Sequence, residues 1–230
     1  MRRPKFYNMY YENFMHIPSF VLTATSRKKT ALMFKAMLDY TVAVISLVIL
    51  FPFFVIVALA IKLASPEGPV FFKQIRCGLN GRLFSMYKFR TMAPDAELRR
   101  GELAGLNEAD GPAFKIKRDP RIIPFVGHLL RRTSLDELPQ LINIMRGEMS
   151  VVGARPPIPE EVSRYEIWER RRLSMKPGLT CLWQIAPNRN SISFEEWMKM
   201  DLAYIDNWSL WLDLKIVVKT FRVLLAGYGM

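Results

Sequence analysis

The chain has 230 residues, half of them hydrophobic, which is enough to bury a core and excludes a globally disordered polymer. Its 33 Lys and Arg against 21 Asp and Glu give a net charge of +12, which indicates a polyanionic partner: nucleic acid, anionic lipid or a phosphorylated substrate. The chain has only two cysteines, Cys77 and Cys181, which form no CxxC pair, and only two histidines. This composition argues against a disulfide scaffold or a zinc site, and free thiols suit a reducing cytosol.

The N-terminal part of the chain combines a basic arm with a long apolar segment. Residues 1–30 are basic and aromatic without a clear period, and we expect a flexible or surface-lying arm. From Tyr40 to Ile61 there are 22 uncharged residues, enough for a helix that spans about 30 Å of hydrocarbon. The segment starts too late and is too long for a signal peptide, and it is apolar on every face. We therefore predict a membrane helix at residues 31–64.

Pro52 lies at the centre of this helix, where it removes a backbone hydrogen bond and favours a kink. Both flanks are basic, and the positive-inside tendency places basic flanks in the cytoplasm. A re-entrant helix that enters the membrane, bends and returns satisfies both features, but a kinked single pass is nearly as compatible with the sequence. The flanking cations are Arg27, Lys28, Lys29 and Lys35 before the segment, and Lys62, Lys73, Arg76, Arg82, Lys88 and Arg90 after it.

Residues 65–230 predict a cytoplasmic domain of short helices and strands. Asn80-Gly81 is a strong hairpin signal between two strand-like runs, and Gly147 is a natural residue to end a helix. Because helices and strands do not alternate regularly, the predicted class is α+β. The predicted elements are strands at Val70–Ile75, Leu83–Met92 and Met149–Val152, and helices that end at Arg131-Arg132, run from near Ser134–Asp136 to Gly147, and run from Glu160 to Met175.

The last predicted helix, Trp208–Ala226, is amphipathic. Its pattern suits a helix that lies among lipid headgroups, and it suits an amphipathic helix packed on a soluble core almost as well. One face carries Lys215, Lys219 and Arg222, and another carries Trp211, Leu214, Val218, Phe221 and Leu225.

Asp136-Glu137 is the best candidate for catalysis. The sequence Ser134-Leu135-Asp136-Glu137 also fits the S-x-x-E capping box, and for an isolated motif capping is the favoured role. If Ser134 were the cap, Pro139 would fall beyond the first helical positions, whose backbone N–H groups have no acceptor within the helix. Pro139 therefore fits a helix that begins nearer Asp136 better. The positive helix end would then keep Asp136 ionised and would face a phosphate. An ionised carboxylate near a metal is what attack on phosphorus requires.

Cations on predicted strands and rigid turns strengthen this candidate. Each alone is typical of a solvated surface charge, but together they suit a diphosphate, whose oxygens arginine binds bidentately. They are Lys88 and Arg90 in YKFRTM, Arg131 and Arg132, and Arg155 in the ARPP turn.

These motifs resemble the monotopic phosphoglycosyl transferases, the bacterial sugar transferase family. SLDELPQL together with YKFRTM and the ARPP turn is a strong signature. The resemblance covers about residues 32 to 226, in the family's order. The matching segments are SPEGPVFFKQIRCGLNGRLFSMYKFRTM, RRTSLDELPQLINIMRGEMSVVGARPP, KPGLTCLWQI and DLAYIDNWSLWLDLKI.

The resemblance implies a two-step reaction. Asp136 would attack the β-phosphate of a UDP-sugar and release UMP, and polyprenyl (undecaprenyl) phosphate would then accept the phosphosugar. Glu137 matches the family's magnesium-binding acid, so Mg²⁺ is the expected cofactor. The implied substrate-binding residues are Lys88, Arg90, Arg131, Arg155, Pro156 and Asp201, and Pro52 matches the break of the membrane helix.

The resemblance also implies a monotopic protein of the bacterial inner membrane, with an α+β catalytic domain that faces the cytoplasm. Inner-membrane phospholipid is an expected partner, nucleic acid is not, and a homodimer is left open. The product would begin exopolysaccharide, capsule, O-antigen or glycoprotein glycan synthesis. The sugar itself depends on a few hydrogen bonds that no spacing rule reveals.

The chain departs from the family pattern at four places. Phe51 precedes Pro52 where many members have Ser, and the commoner GPRP turn is Gly153-Ala154-Arg155-Pro156. The usual PGxTG motif ends in Cys181, and the glycine-containing loop before the Arg-Asn pair is Ala186-Pro187-Asn188-Arg189-Asn190. The last change affects the inferred sugar contacts.

Two other classes stay open on the sequence alone. A membrane-anchored nucleic-acid-binding or scaffold protein fits the charge, but the chain has no recognition-helix, RNP-like or zinc motif. A lipid-phosphate enzyme of the CDP-alcohol type would require several spans and a DGxxAR signature, and the sequence has neither. Release of UMP from UDP-sugars separates the transferase from both.

Overall fold

The computed structural model of the chain describes residues 29–106, 116, 119–187 and 192–225. The arm predicted at residues 1–30 therefore lies almost wholly outside the described residues. The described part confirms a mixed helix and strand class, with one long apolar N-terminal helix and two small sheets. The helices are α1 (Lys29–Ala64), α2 (Val126–Arg132), α3 (Gln140–Met145), α4 (Pro159–Ser163), α5 (Ile167–Arg170), α6 (Phe194–Asp206) and α7 (Leu210–Leu225), and the strands are β1 (Phe71–Cys77), β2 (Leu83–Phe89), β3 (Ser150–Val152) and β4 (Gly178–Thr180).

Helix α1 is long and apolar enough to cross a membrane by length and composition. It includes the predicted segment 31–64 and continues through Pro52. Large apolar side chains such as Val48, Ile49 and Phe51 are mostly exposed, which is the reverse of a soluble core helix. The entry and return of this helix at Pro52 stay a prediction.

One face of α1 packs against the rest of the protein along both halves of the helix. In the first half, Ala43 packs against α3, and in the second half Val57 and Ile61 pack against β2 and α2. At 100° per residue the buried positions share one side of the helix. They are Lys35, Asp39, Ala43, Val57 and Ile61.

Polar contacts fix the start of α1 to the domain and its end to the linker that follows it. Near the start, Lys35 Nζ lies 2.6 Å from Asp213 Oδ2 of α7, and the Val151 N–H donates to Asp39 Oδ1 at 3.0 Å. Near the end, Lys62 Nζ donates to the Gly68 carbonyl at 2.9 Å. The domain thus contacts α1 over most of its length.

Strands β1 and β2 form the predicted antiparallel hairpin, with Cys77 opposite Leu83. Asn80 (φ 55°) and Gly81 (φ 74°) are both left-handed, which the tight turn requires and which these two residue types tolerate best. The second strand ends at Phe89 rather than at the predicted Met92, because Met92 pairs with Ile122 instead of with β1.

Strands β3 and β4 are parallel, with Ser150 opposite Gly178. The predicted strand at Met149–Val152 is confirmed, whereas β4 was not predicted. A Cβ atom on Gly178 would lie 2.0 Å from the Gly153 nitrogen, so only glycine permits this approach of the two backbones. The sheet therefore places the turn after β3 close to β4.

The helix predicted from Ser134–Asp136 to Gly147 is interrupted. A 3₁₀ turn, Leu135–Glu137, precedes α3, because Pro139 has no N–H to donate the hydrogen bond that would join them. The predicted end is confirmed, since Gly147 takes the left-handed conformation (φ 73°) after α3.

The charged helix predicted at Glu160–Met175 is also interrupted. It consists of α4, α5 and a 3₁₀ turn at Arg171–Ser174. Glu166 is extended (φ −67°, ψ 164°), and its N–H donates to Glu169 Oε2 at 2.7 Å. A capped helix start inside the segment divides it.

The C-terminal helix α7 presents different chemistry on each side. Asp213 and Ile216 face the protein, where Ile216 packs with residues of β3 and α6. The exposed side chains include apolar Trp211, Leu214, Val218 and Phe221 and basic Lys215, Lys219 and Arg222.

Candidate active site

The hairpin and the loop between α2 and α3 meet at an ion pair. Lys88 lies near the end of β2, and Glu137 lies in the 3₁₀ turn Leu135–Glu137. Lys88 Nζ is 2.6 Å from Glu137 Oε1, and both side chains are about four-fifths buried, with 22% and 19% exposed. The fold therefore brings the basic YKFRTM strand to the acidic pair of the SLDELPQL motif.

The acidic pair is not used to cap a helix. Ser134 takes a left-handed conformation (φ 57°) and makes no side-chain capping hydrogen bond. The capping box that the sequence S-x-x-E fits is therefore not formed, and the turn that follows is a single 3₁₀ turn. Asp136 and Glu137 are left available for other contacts.

Asp136 is a buried carboxyl group, with 8% of its surface exposed. Burial raises its pKa to about 6, while Lys88 and Arg131 favour the ionised form and Glu137 opposes it. Asp136 lies in a three-residue 3₁₀ turn rather than in the first turn of an α-helix, and burial is the largest influence on its pKa. The contribution of a positive helix end to its ionisation stays a prediction. With this pKa the carboxyl group is still mostly ionised at pH 7.

Glu137 differs from its neighbour in its electrostatics. Burial raises the pKa of Glu137, but Lys88, Arg155 and Arg76 together outweigh burial and hold the pKa below its usual value. The two adjacent carboxyl groups thus have pKa values moved in opposite directions. Such a pair can supply one carboxylate that stays charged and one whose charge is less well stabilised.

Three arginines act on this pair. Arg131, in the last turn of α2, favours the ionised form of Asp136, and Arg155, after β3, favours that of Glu137. Arg76 at the end of β1 joins them, although its position in the sequence indicates only a basic flank of the membrane segment. It is buried, and burial and Arg155 lower its pKa to about 10. Nothing in the sequence signals this burial, since an arginine in a strand is usually solvated.

Three predicted substrate-binding residues have other partners. Arg90 is buried and donates to the Ser65 carbonyl at 2.6 Å and the Pro69 carbonyl at 2.5 Å, which fixes the linker after α1. Asp201 is 1% exposed and lies 2.5 Å from Arg172 Nη2. Pro156 lies beside Arg155, and its carbonyl accepts a hydrogen bond from Arg76 at 2.8 Å. Their roles in substrate binding stay predictions.

The donor set near Lys88 suits magnesium only in combination with a substrate. Among the described residues there is no group of three His, Cys, Asp or Glu side chains that could hold a metal ion. Magnesium, however, commonly binds through one or two carboxylates, substrate phosphates and water. The oxygens of Glu137 and Asp136 meet that requirement, so the residues present fit the ion.

A comparison with protein families identifies the family of this chain. The family model described as Bacterial sugar transferase matches residues 30–227. The chain therefore belongs to the bacterial sugar transferase family.

Individual relatives support the same family. The chain is 44% identical over 202 residues to the galactosyl transferase CpsE of Streptococcus agalactiae serotype III (strain NEM316), covering 88% of this chain and 44% of CpsE. It is 40% identical over 199 residues to the exopolysaccharide production protein ExoY of Sinorhizobium fredii (strain NBRC 101917 / NGR234), covering 85% and 87%. It is 40% identical over 195 residues to the UDP-glucose:undecaprenyl-phosphate glucose-1-phosphate transferase of Xanthomonas campestris pv. campestris, covering 81% and 37%. The chain thus spans less than half of two of these relatives and most of ExoY.

Proposed function

We propose that this chain transfers a sugar-1-phosphate from a UDP-sugar to polyprenyl phosphate, such as undecaprenyl phosphate, and releases UMP. The observation that carries the proposal is the buried Asp136 carboxyl group beside the Lys88–Glu137 ion pair, in a chain of the bacterial sugar transferase family. The name of the Xanthomonas relative describes this class of reaction for that protein. The product would be a polyprenyl diphosphate sugar.

The first step is an attack on phosphorus by Asp136. Its carboxylate oxygen forms a bond to the β-phosphorus, and the bond from that phosphorus to the bridging oxygen breaks. UMP leaves with the electron pair, and the phosphosugar stays on Asp136 as an acyl phosphate. The raised pKa of Asp136, about 6, leaves the carboxylate ionised at neutral pH and more basic than a solvated aspartate.

The second step returns Asp136 to its free form. An oxygen of polyprenyl phosphate attacks the same phosphorus, and the bond to the Asp136 oxygen breaks. In both steps the surrounding cations, Lys88, Arg131 and Arg155, would offset the charge on the phosphoryl oxygens. Magnesium held by Glu137 would supply further charge neutralisation on the diphosphate.

The packing of α1 supports a monotopic arrangement, in which one membrane helix enters and returns. Lys35 near its start and Ile61 near its end both contact the same domain, and the exposed residues between them are nearly all apolar. A straight crossing would carry one of these ends away from the domain. The exposed apolar and basic sides of α7 fit a helix that lies among lipid headgroups. We propose that the domain faces the cytoplasm at the bacterial inner membrane, where a lipid phosphate and a soluble nucleotide reach the same site.

The test is turnover with a panel of UDP-sugars, undecaprenyl phosphate and magnesium in detergent, with UMP as the readout. We expect UMP release with one sugar or a small set of sugars, and none from the Asp136→Asn variant. A chain that releases no UMP with any sugar would refute the proposal. The panel also identifies the sugar.

A further inference from the structure

Three consecutive backbone carbonyl groups in the turn that carries Arg155 accept hydrogen bonds from neighbouring elements. Arg172 Nη2 donates to the Arg155 carbonyl at 3.0 Å, and Arg76 Nη1 donates to the Pro156 carbonyl at 2.8 Å. The Cys77 N–H donates to the Pro157 carbonyl at 2.9 Å. Because two of the three residues are prolines with restricted φ, the backbone of this turn has little freedom left.

Arg172 contacts Arg155 in a second way, through an indole ring. The Arg172 guanidinium carbon lies 5.3 Å from the centre of the Trp197 ring, and that of Arg155 lies 5.2 Å from the same centre. Arg172 therefore binds the backbone of Arg155 and also packs on the ring that supports the Arg155 side chain.

The ion pair behind this arrangement is deeply buried. Arg172 is 2% exposed, its partner Asp201 is 1% exposed, and the Tyr165 hydroxyl accepts from Arg172 Nη1 at 2.6 Å. A buried ion pair loses so much hydration that it often adds no net stability compared with apolar side chains. Burial of this pair is therefore better explained by the geometry that it imposes on Arg155.

Arg171, the neighbour of Arg172, also pairs with an aspartate of α6 but is not deeply buried. Arg171 pairs with Asp206, five residues beyond Asp201 on α6, and this pair is far less buried, with side chains 33% and 47% exposed. Both arginines lie in the same 3₁₀ turn, and both aspartates lie on α6. The two pairs differ in that Arg172 also donates to the Arg155 carbonyl.

We propose that Arg172, held by Asp201, is a positioning residue that orients Arg155 toward the phosphates bound at Asp136 and Glu137. This inference rests on the proposed function. Asp201 acts through Arg172 and does not touch the substrate. Arg172 has a defined task because its planar fork reaches the Asp201 carboxylate, the Tyr165 hydroxyl and the Arg155 carbonyl together, which a single ammonium group cannot do.

A double-mutant cycle tests this link. Arg172→Lys keeps a positive charge beside Asp201 but loses the fork, and we expect UMP release about tenfold slower than in the wild type. In the Arg155→Ala background the same change should cost nothing further, because the residue being oriented is gone. Arg171→Lys is the matched control and should keep the wild-type rate. Thermal unfolding of each variant establishes that it is folded, and Asp201→Asn replaces Arg172→Lys in the cycle if the latter does not fold.

Three outcomes decide the question. If Arg172→Lys slows UMP release less in the Arg155→Ala background than in the wild type, the positioning role is supported. Equal, multiplicative losses in the two backgrounds, or a wild-type rate for Arg172→Lys, would overturn it. If the wild type releases no UMP, the proposed function fails, and calorimetric binding of UDP in the same four variants tests the positioning separately. There, non-additive weakening supports the role, and additive weakening or no binding at all overturns it.

Discussion

Asp136 is a carboxyl group in a place that disfavours its charge. Its pKa is raised mainly by burial, and Glu137 beside it adds a like charge, while Lys88 and Arg131 provide only partial relief. A group whose folded pKa lies above its unfolded value makes the fold less stable once it ionises. Such a cost is typical of functional residues rather than of residues retained for stability.

Asp136→Asn separates chemistry from structure. Because asparagine removes a buried charge and keeps the shape, we expect the variant to unfold at a temperature no lower than that of the wild type. The variant also lacks the negatively charged carboxylate oxygen that would form the acyl phosphate, so it should form no covalent intermediate. Intact-protein mass after brief exposure to UDP-sugar without lipid acceptor should show a sugar-phosphate on the wild type alone. An adduct on the variant, or one mapped to another residue, would contradict the assignment.

The pH dependence of adduct formation follows from the pKa of Asp136. The reactive carboxylate is present above the folded pKa of about 6 and is lost as the pH falls through it, so the rate should drop about tenfold per pH unit below that point. Glu137→Gln removes a like charge and should move the midpoint down, whereas Lys88→Met removes an opposite charge and should move it up. Single-turnover rates from pH 4.5 to 8, normalised for each variant, provide the comparison. Midpoints that stay in place would exclude Asp136 as the titrating group.

At the scale of elements, features that depend on adjacent residues were predictable from the sequence, whereas contacts between distant segments were not. Asn80-Gly81 predicted the hairpin because the turn depends on the φ angles of two adjacent residues. The Asp136-Glu137 pair was proposed as the site from its motif and its neighbouring cations, and the fold brings Lys88 to Glu137. By contrast, Arg172 follows two other arginines in the sequence, and only the packing of α6 and the turn after β3 distinguishes it from Arg171. Arg90 was expected near substrate, but its partners Ser65 and Pro69 lie on a linker whose path depends on α1.

The anchor between α1 and α7 yields a prediction about stability. Lys35 and Asp213 are buried, and Asp213 also accepts hydrogen bonds from Tyr204 at 2.7 Å and Trp208 at 3.1 Å. Removal of one partner from a buried pair leaves an uncompensated charge, which costs about 3 kcal/mol or more. Lys35→Met should therefore lower the thermal midpoint in detergent by several degrees.

The control for this anchor is an ion pair of the same length on the surface. Lys199 and Glu195 also lie 2.6 Å apart, but both side chains are about two-thirds exposed. Exposed pairs of this kind contribute little, so Lys199→Met should leave the midpoint unchanged. Equal effects of the two substitutions would show that burial of Lys35 does not stabilise the contact between the helices.

At the scale of the whole molecule, the apolar and polar surfaces are divided between α1, α7 and the domain. The long apolar side of α1 and the apolar side of α7 are exposed, while the opposite sides of both helices pack on the domain. Lys35 and Asp213 join the two helices to each other. The monotopic arrangement proposed above would place the exposed apolar sides of both helices against one leaflet.

The topology of α1 can be measured with single cysteines at its two ends, Thr30→Cys and Glu67→Cys. The native thiols should not interfere, because burial raises the pKa of Cys77 to about 12 and raises that of Cys181 as well. If α1 enters and returns, a membrane-impermeant maleimide should label both positions in inverted membrane vesicles and neither in spheroplasts. Labelling of the two positions from opposite sides would refute the monotopic arrangement and establish a single crossing. Pro52→Ala restores the missing backbone N–H, and we expect it to straighten the helix and increase the fraction of chains whose ends lie on opposite sides.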